Sequence, residues 1–441
     1  MRRRLAARPR MRAGLIVVGG NVLGAAAAFL AAIVAARTLS LDQFAAFGVG
    51  LAVNSLAVQF ADFGLGTIAI AETADAAHPQ AARAKLRLLA RHRLRTAVLV
   101  VVAVTAVVYL LPSLEPYRAT ATVGAGGALL GSLALFFIWS LQGERRFFSA
   151  GSLQSLQGLL RLALVGGCAI AGLESAEMMV GYAILAPAVT AIAGGIVLFA
   201  RAPRPHADAP PAAAAVAEAG VGPRPASTEI DIGRRRTMAV TGVFAALVIN
   251  GDVLLLTMLS GEHEVAAYTA AWRFSSGLLL INTAIASAIL PFIASAPDAW
   301  WESKYLVRRG LLVTLGWFIL LPLLALIGPL LLGDVGEDAR SSLILLLIAF
   351  AIDGFYFVVY QIYLRVRRER LLLGIAALEF ATMAIVTLLL RDKGALAPAY
   401  GQLAARVVVG VCVAAPIVLA ARGRCSWFER AGETATSEGR R

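Results

Sequence analysis

Seven polar side chains stand in stretches of this sequence that are otherwise almost wholly apolar: Gln157, Arg161, Asp252, Arg273, Asp353, Glu379 and Arg406. A guanidinium binds a phosphate or carboxylate through paired N–H donors. A carboxyl group in a poorly solvated place can take up and release a proton. Anion recognition and proton or cation exchange are therefore the chemistries that these residue types allow. Gln157 and Arg161 are spaced i,i+4 on one helical face, with Gln154 on the turn before them. Such a polar stripe suits a cavity that receives phosphates and sugars; the structural alternative for Arg161 is an ion pair with a carboxylate of another helix. Asp252 and Arg273 lie at matching depths, about 10 to 12 Å from the ends of their segments at 1.5 Å per residue. They are expected to pair and so pin two helices together. The functional alternative makes Arg273 a second substrate ligand, released when Asp252 takes a proton. Asp353 and Glu379 are candidates for cation coupling, and either could instead partner Arg406. Asp62, at the end of a segment, reads as a packing or capping contact.

Apolar segments must position these residues, near 14–36, 44–70, 96–111, 121–142, 150–171, 178–200, 236–259, 265–293, 310–333, 341–364, 371–390 and 398–421. A hydrocarbon core about 30 Å thick is crossed by roughly 20 helical residues. Only elements that satisfy their own backbone hydrogen bonds persist there, so the expected fold class is all-α integral membrane, with about twelve transmembrane helices. Composition agrees: 59% hydrophobic and 15% charged residues exclude an ordinary soluble domain. A net charge of +13 would point a soluble protein towards nucleic acid, but here the charge follows the gaps between segments. Counting Arg236, the first residue of its segment, with the gap before it, 32 of the 40 Lys and Arg residues fall in every second gap, five in the other gaps and three inside segments. Basic side chains collect on the cytoplasmic side of short loops. The gaps holding Arg2–Arg12, Arg83–Arg95, Arg145 and Arg146, Arg234–Arg236, Lys304–Arg309 and Arg365–Arg370 are thus expected to face inward, with both termini cytoplasmic. Anionic membrane lipid is the expected partner of that charge; nucleic acid is not.

Six prolines between Pro203 and Pro225, in an alanine-rich context, mark 201–235 as a cytoplasmic linker. It divides an N-terminal six-helix lobe (1–200) from a C-terminal one (236–421), with a cytoplasmic tail at 422–441. The lobes open alike: Leu39-Ser40 then Ala45-Ala46-Phe47 recurs as Leu259-Ser260 then Ala266-Ala267-Tyr268. An even number of crossings keeps the two lobes in one orientation, related by an axis along the membrane normal. Arg83, Arg87, Arg91 and Arg95 form one stripe, so 83–95 reads as an interfacial helix with snorkelling arginines. Gly20 and Gly24 read as a close helix contact. Gly64–Ala69 fits a dinucleotide-binding pattern only by chance, because it does not join a strand to a helix. Four scattered histidines and three cysteines give no metal site and no disulfide framework, so no cofactor is expected. Neither a P-loop nor a nucleophile and base spacing is visible, and the chain does not read as an enzyme.

Residues 35–71, from Ala35-Ala36-Arg37-Thr38-Leu39-Ser40 through Ala61-Asp62-Phe63-Gly64-Leu65-Gly66, resemble the opening of the O-antigen and polysaccharide flippases. Those belong to the multidrug/oligosaccharidyl-lipid/polysaccharide exporter superfamily. Asn250-Gly251-Asp252-Val253-Leu254-Leu255 and Ala267-Tyr268-Thr269-Ala270-Ala271-Trp272-Arg273 are similar to that family's seventh and eighth helices, with Asp252, Tyr268 and Arg273 carrying most of the likeness. At the first turn the chain departs from the family's Leu-Gly and Tyr-Gly, having Leu39-Ser40 and Phe44-Ala45. The resemblance implies a transporter of the cell inner membrane that flips a polyprenyl-pyrophosphate-linked oligosaccharide from the inner to the outer leaflet by alternating access. It would serve export of a surface polysaccharide such as lipopolysaccharide O-antigen, beside a polysaccharide polymerase and glycosyltransferases. On this reading Gln157, Arg161 and Arg273 bind substrate, while Asp252, Asp353, Glu379 and Arg406 couple ions or pair. A cation-coupled multidrug exporter of the same superfamily is the first alternative, and Arg161 and Arg273 argue against its cationic cargo. A membrane polysaccharide polymerase or ligase is the second, and the short outer loops argue against it.

Overall fold

The structure is a computed structural model and describes residues 2–62, 79–144, 146–200, 232–294, 299–365 and 369–421. Among them are twelve α-helices and two short 3-10 turns, with no strand. In chain order the helices are α1 (Arg2–Thr38), α2 (Leu41–Asp62), α3 (Pro79–Leu110), α4 (Arg118–Gly143), α5 (Phe147–Ile170) and α6 (Ala176–Ala200). The second set is α7 (Ile232–Leu259), α8 (Glu262–Ala294), α9 (Ala299–Leu332), α10 (Asp334–Arg365), α11 (Glu369–Leu389) and α12 (Leu396–Ala421). Eleven spans among the described residues are long and apolar enough to cross a membrane. The chain is an all-helical, multi-pass membrane protein of two lobes.

Consecutive helices are separated at one end of the bundle by sharp turns, here the short-turn end. Ser40 between α1 and α2 accepts a hydrogen bond from the Gln43 amide at 3.4 Å, and Ser175 before α6 accepts one from Met178 at 3.4 Å. Both are N-cap side chains that satisfy a free first-turn amide. The α3–α4 connection is a 3-10 turn over Pro112–Tyr117, whose first proline has no amide to satisfy. Of the expected linker, 201–231 lies outside the described residues, and α7 starts at Ile232 rather than at 236. The tail 422–441 and the Gly64–Ala69 pattern also lie outside them.

One expectation is corrected. Residues 83–95 are not a separate interfacial helix but the first turns of α3, which runs unbroken into its apolar span. No Gly or Pro interrupts Arg83 to Leu110, and the face opposite the arginine stripe has protein to pack on. Leu86 and Leu89 are buried against Phe136, Phe137, Ile138 and Leu141 of α4, while Arg87, Arg91 and Arg95 remain exposed.

The two lobes are built by the same packing pattern. In the first, α1 packs on α5, α2 on α4, α3 on α4, α4 on α6 and α5 on α6; in the second, α7 on α11, α8 on α10, α9 on α10, α10 on α12 and α11 on α12. Across the lobes α1 meets α8 and α2 meets α7, again a symmetric exchange, with a further contact between α2 and α8. A repeated side-chain contact fixes the register. Gln43 in the first turn of α2 accepts a hydrogen bond from the Ala176 amide at 2.8 Å, and Glu264 in the first turn of α8 accepts one from the Ala395 amide at 2.6 Å. The glycine before Ala395, Gly394, has a φ of +56°, and a Cβ there would meet the Glu264 carboxylate at 2.5 Å. The repeat at Ala45-Ala46-Phe47 and Ala266-Ala267-Tyr268 thus sits at equivalent places in space.

The α1–α5 contact is backbone on backbone. A Cβ on Gly20 would lie 2.5 Å from the Gly151 carbonyl oxygen, and one on Gly158 would lie 2.2 Å from that of Gly24. This is the close packing expected of Gly20 and Gly24. The apolar core that joins the lobes gathers at the short-turn end, with Ala35, Phe44, Phe47 and Val49 of the first lobe against Val253, Leu256, Val265 and Phe274 of the second. The cluster around Phe136, Leu141, Leu153 and Leu198, towards the opposite end, draws on first-lobe residues alone. Burial is uneven: 72% of the α2 span is buried, against 6% of the α9 span.

Candidate functional site

Arg161 lies on the part of α5 that follows its glycine contact with α1. Its side chain is half-buried, its Nε has no hydrogen-bond partner, and no carboxylate pairs with it among the described residues. Gln154, on the preceding stripe, has an unpartnered Oε1, and Gln157 is half-buried between them. Arg273, on α8 of the other lobe, donates from Nη2 to the Gly48 carbonyl of α2 at 3.4 Å and stands 5.2 Å above the Trp272 ring. Its guanidinium is close enough to Arg161 for the two positive charges to repel. Two arginines from different lobes therefore share one region, and neither forms a close ion pair with a carboxylate among the described residues, although the charge of Asp252 still reaches Arg273. Charge of that kind in a poorly solvated place is stabilised by an anion.

The expected Asp252–Arg273 pair does not form. Asp252 is fully buried within the second lobe, where it accepts hydrogen bonds from the Tyr268 hydroxyl at 2.5 Å, Gln402 Nε2 at 2.7 Å and the Val253 amide at 2.8 Å. Three donors satisfy this carboxylate, and Arg273 turns across the lobe boundary instead. Position along a helix sets depth but not direction: the Asp252 oxygens are taken by donors of their own lobe, and the Arg273 guanidinium reaches Gly48 of α2, leaving a longer-range attraction between the two charges.

Arg406 is placed between both of its expected partners. Its Nε is 3.2 Å from Asp353, its Nη1 contacts Glu379, and all three side chains are buried. Both oxygens of Asp353 lack a hydrogen-bond partner. One guanidinium can neutralise only one carboxylate, so the triad holds an excess acidic group whose charge must be balanced or removed in a dry setting. The triad and the Asp252 hub lie close enough for their charges to interact, and together they draw on α7, α8, α10, α11 and α12. By the repeat register, Asp252, Tyr268 and Gln402 correspond to Ala32, Phe47 and Ala183 in the first lobe, all buried and apolar. At these three positions the polar hub of the second lobe has apolar residues as its counterparts in the first.

Sequence reasoning missed three partners. Tyr268 carried the family resemblance without a role, and Gln402 was overlooked although it precedes Arg406 by one helical turn. Asp62 is more than a cap: it forms an ion pair with the fully buried Arg93 of α3, whose guanidinium also stands 5.7 Å from the Phe136 ring and 5.6 Å from that of Trp139. The signal was Arg93 itself, the one arginine of 83–95 that is off the exposed stripe. Among the described residues no cluster of His, Cys, Asp and Glu could hold a metal ion.

Comparison with known proteins bears on this arrangement. Residues 11–223 match the family of polysaccharide biosynthesis proteins. A search of curated proteins gave no match. Among solved structures, an inward-facing multidrug resistance MATE family transporter of the MOP superfamily is 16% identical, covering 93% of this chain and 100% of that one, with a TM-score of 0.62. An outward-facing MATE family transporter is 14% identical, with 97% of each chain covered and a TM-score of 0.60. A MOP superfamily transporter from Pyrococcus furiosus, described as having a binding pocket of reversed polarity that suggests a different function, is 14% identical over 93% of this chain and 96% of that one, with a TM-score of 0.59. Residues 11–223 are thus similar to the polysaccharide biosynthesis proteins, and the chain shares its two-lobed fold with MATE family transporters.

Proposed function

We propose that this chain moves a polyprenyl-diphosphate-linked oligosaccharide from the inner to the outer leaflet of the cytoplasmic membrane by alternating access of its two lobes. The observation that carries this reading is the pair Arg161 and Arg273, guanidiniums of different lobes that repel one another and form no close ion pair with an acid among the described residues. A diphosphate offers each of them an anionic group, and an ion held from both lobes ties binding to their relative position. Gln154 and Gln157 add hydrogen-bonding capacity for phosphate or sugar hydroxyls. With the basic gaps inward and the short-turn end outward, the lobes are closed towards the outside. The Arg406 triad and Asp252 hub would supply coupling, the excess carboxylate exchanging a proton or cation as the lobes rock. The family matched by 11–223 supports a polysaccharide precursor as cargo.

Export of drugs is the second reading, favoured by the fold shared with multidrug resistance transporters. A cationic drug, however, would meet two guanidiniums that have no close ion-pair partner among the described residues. Translocation of a fluorescent lipid-diphosphate oligosaccharide in proteoliposomes tests the first reading. Arg161→Lys is expected to keep part of the activity, and Arg161→Ala to lose tenfold or more at equal protein, in line with about 1.5 to 3 kcal/mol for a hydrogen bond to a charged group. Equal translocation by Arg161→Ala would remove Arg161 from the substrate site.

A further inference from the structure

Consecutive residues of α8, Trp272, Arg273 and Phe274, make contacts in different directions. Trp272 turns into its own lobe, where its buried indole meets the ring of Phe350 on α10 edge to face, with centroids 6.3 Å apart and planes at 86°. Arg273 reaches the Gly48 carbonyl of α2 at 3.4 Å, while its guanidinium lies 5.2 Å from the centre of the Trp272 ring. Phe274 crosses to α1 of the first lobe and packs on Phe29, with centroids 5.2 Å apart and planes at 75°. The Phe350 ring has a second neighbour in the Arg406 guanidinium, 5.7 Å from its centre. Two touching rings therefore join Arg273 of the cavity to Arg406 of the acidic triad.

Phe350 is held so that it passes a push on. Its carbonyl accepts a hydrogen bond from Asn282 of α8 at 3.0 Å, and Asn282 in turn accepts one from the Trp317 indole of α9 at 2.7 Å. Its ring is buried, and a close-packed interior transmits displacement from one side chain to the next. A guanidinium is attracted to a ring face. Arg406 is also drawn to Asp353 and Glu379, with Asp252 and Tyr356 in electrostatic reach. Its place over Phe350 thus depends on how many of those acids are charged.

We propose that Trp272 and Phe350 are positioning residues that carry the charge state of the Arg406 triad to Arg273. An acid that takes up a proton or cation loosens its hold on Arg406. The guanidinium then shifts against Phe350, the ring presses on the Trp272 indole, and the indole moves the Arg273 guanidinium that rests on it. Chains of packed side chains carry coupling between sites in this way. The relay rests on the proposed function for the role of Arg273 as cargo ligand, whereas its contact between triad and indole does not depend on the cargo.

The test uses the full chain in lipid nanodiscs with fluorotryptophan in place of tryptophan. The fluorine resonance of Trp272 is the one missing from Trp272→Phe. Glu379→Gln, which imitates the protonated acid, should move that resonance, and Phe350→Leu should remove most of the movement. Affinity for farnesyl diphosphate is then measured on the same samples. Exchange requires that filling the triad empties the cargo site, so Glu379→Gln should weaken binding about fivefold or more. Through space alone, loss of a negative charge would tighten it. Trp272→Leu should abolish the weakening, and Trp272→Phe, which keeps a ring in place, should retain it. Size-exclusion profiles establish that each variant is folded, and Phe350→Leu takes the place of Trp272→Leu if the latter does not fold. A resonance indifferent to Glu379→Gln, a movement undiminished by Phe350→Leu, unchanged or tighter binding by Glu379→Gln, or equal weakening with and without the indole overturns the relay. If Arg161→Ala and Arg273→Gln bind farnesyl diphosphate as tightly as the parent, the cargo reading fails instead, and the resonance alone decides whether the triad reaches Trp272.

Discussion

Arg406 faces two buried carboxylates, so removing its charge leaves both without a counter-ion. Breaking a buried ion pair from one side costs about 3 to 5 kcal/mol, whereas removing all partners together is close to neutral. Arg406→Gln should therefore lower the thermal stability of the detergent-solubilised protein strongly. The triple variant that adds Asp353→Asn and Glu379→Gln should recover most of that loss, measured by fluorescence-detected size exclusion after heating. Recovery with no return of transport would mark the triad as part of the coupling machinery; an unchanged melting profile for Arg406→Gln alone would mean that the charge is not confined as its burial indicates. At this scale the sequence revealed which charges lie in apolar segments, because an ionisable residue there is rare and costly. It did not reveal their partners. Tyr268 and Gln402 are neutral and blend with the polar residues that decorate many membrane helices, and Asp252 was matched to Arg273 by depth when direction decides contact.

Helix contacts made by bare backbone tolerate no added side chain. Gly158 lies with its Cα against the Gly24 carbonyl, and forcing a larger residue into such a crossing costs on the order of 1 to 3 kcal/mol. Gly158→Leu should reduce folded protein and lower its midpoint of thermal unfolding, while Gly166→Leu, on the same helix with nothing within 4 Å, should do neither. Equal behaviour of the two variants would mean that α1 and α5 are not in contact as described. The apolar segments were legible because length and composition specify a spanning helix almost without context. Their ends were less so. α3 begins well before its apolar part, and nothing local to 83–95 tells an amphipathic helix lying on a membrane from one packed on a neighbour; Leu86 and Leu89 serve either, and only α4 decides.

For the molecule as a whole, the partition of arginines between gaps predicts orientation, and labelling in intact cells tests it. In a background free of native cysteines, a membrane-impermeant thiol reagent should modify a cysteine at the exposed position Asp392 and not one at Arg224 in the linker; the opposite pattern would invert the topology. Two lobes were legible from a five-residue repeat and a proline-rich seam, and the matching helix contacts supply what so short a repeat could not. Closure at one end was not legible, since it depends on pairs such as Arg37 with Leu330 that are 293 residues apart.

The repeated cap lets the molecule serve as its own reference experiment. Gln43 reaches an amide 133 residues ahead and Glu264 one 131 residues ahead, at the same place in two copies of one architecture. Both accept a hydrogen bond from the start of a neighbouring helix, but one does so as a neutral amide and the other as an acid. Shortening each to alanine removes the same contact from the same setting, so the loss at Gln43 calibrates the hydrogen bond, and the excess at Glu264 isolates what charge adds at a helix N-terminus.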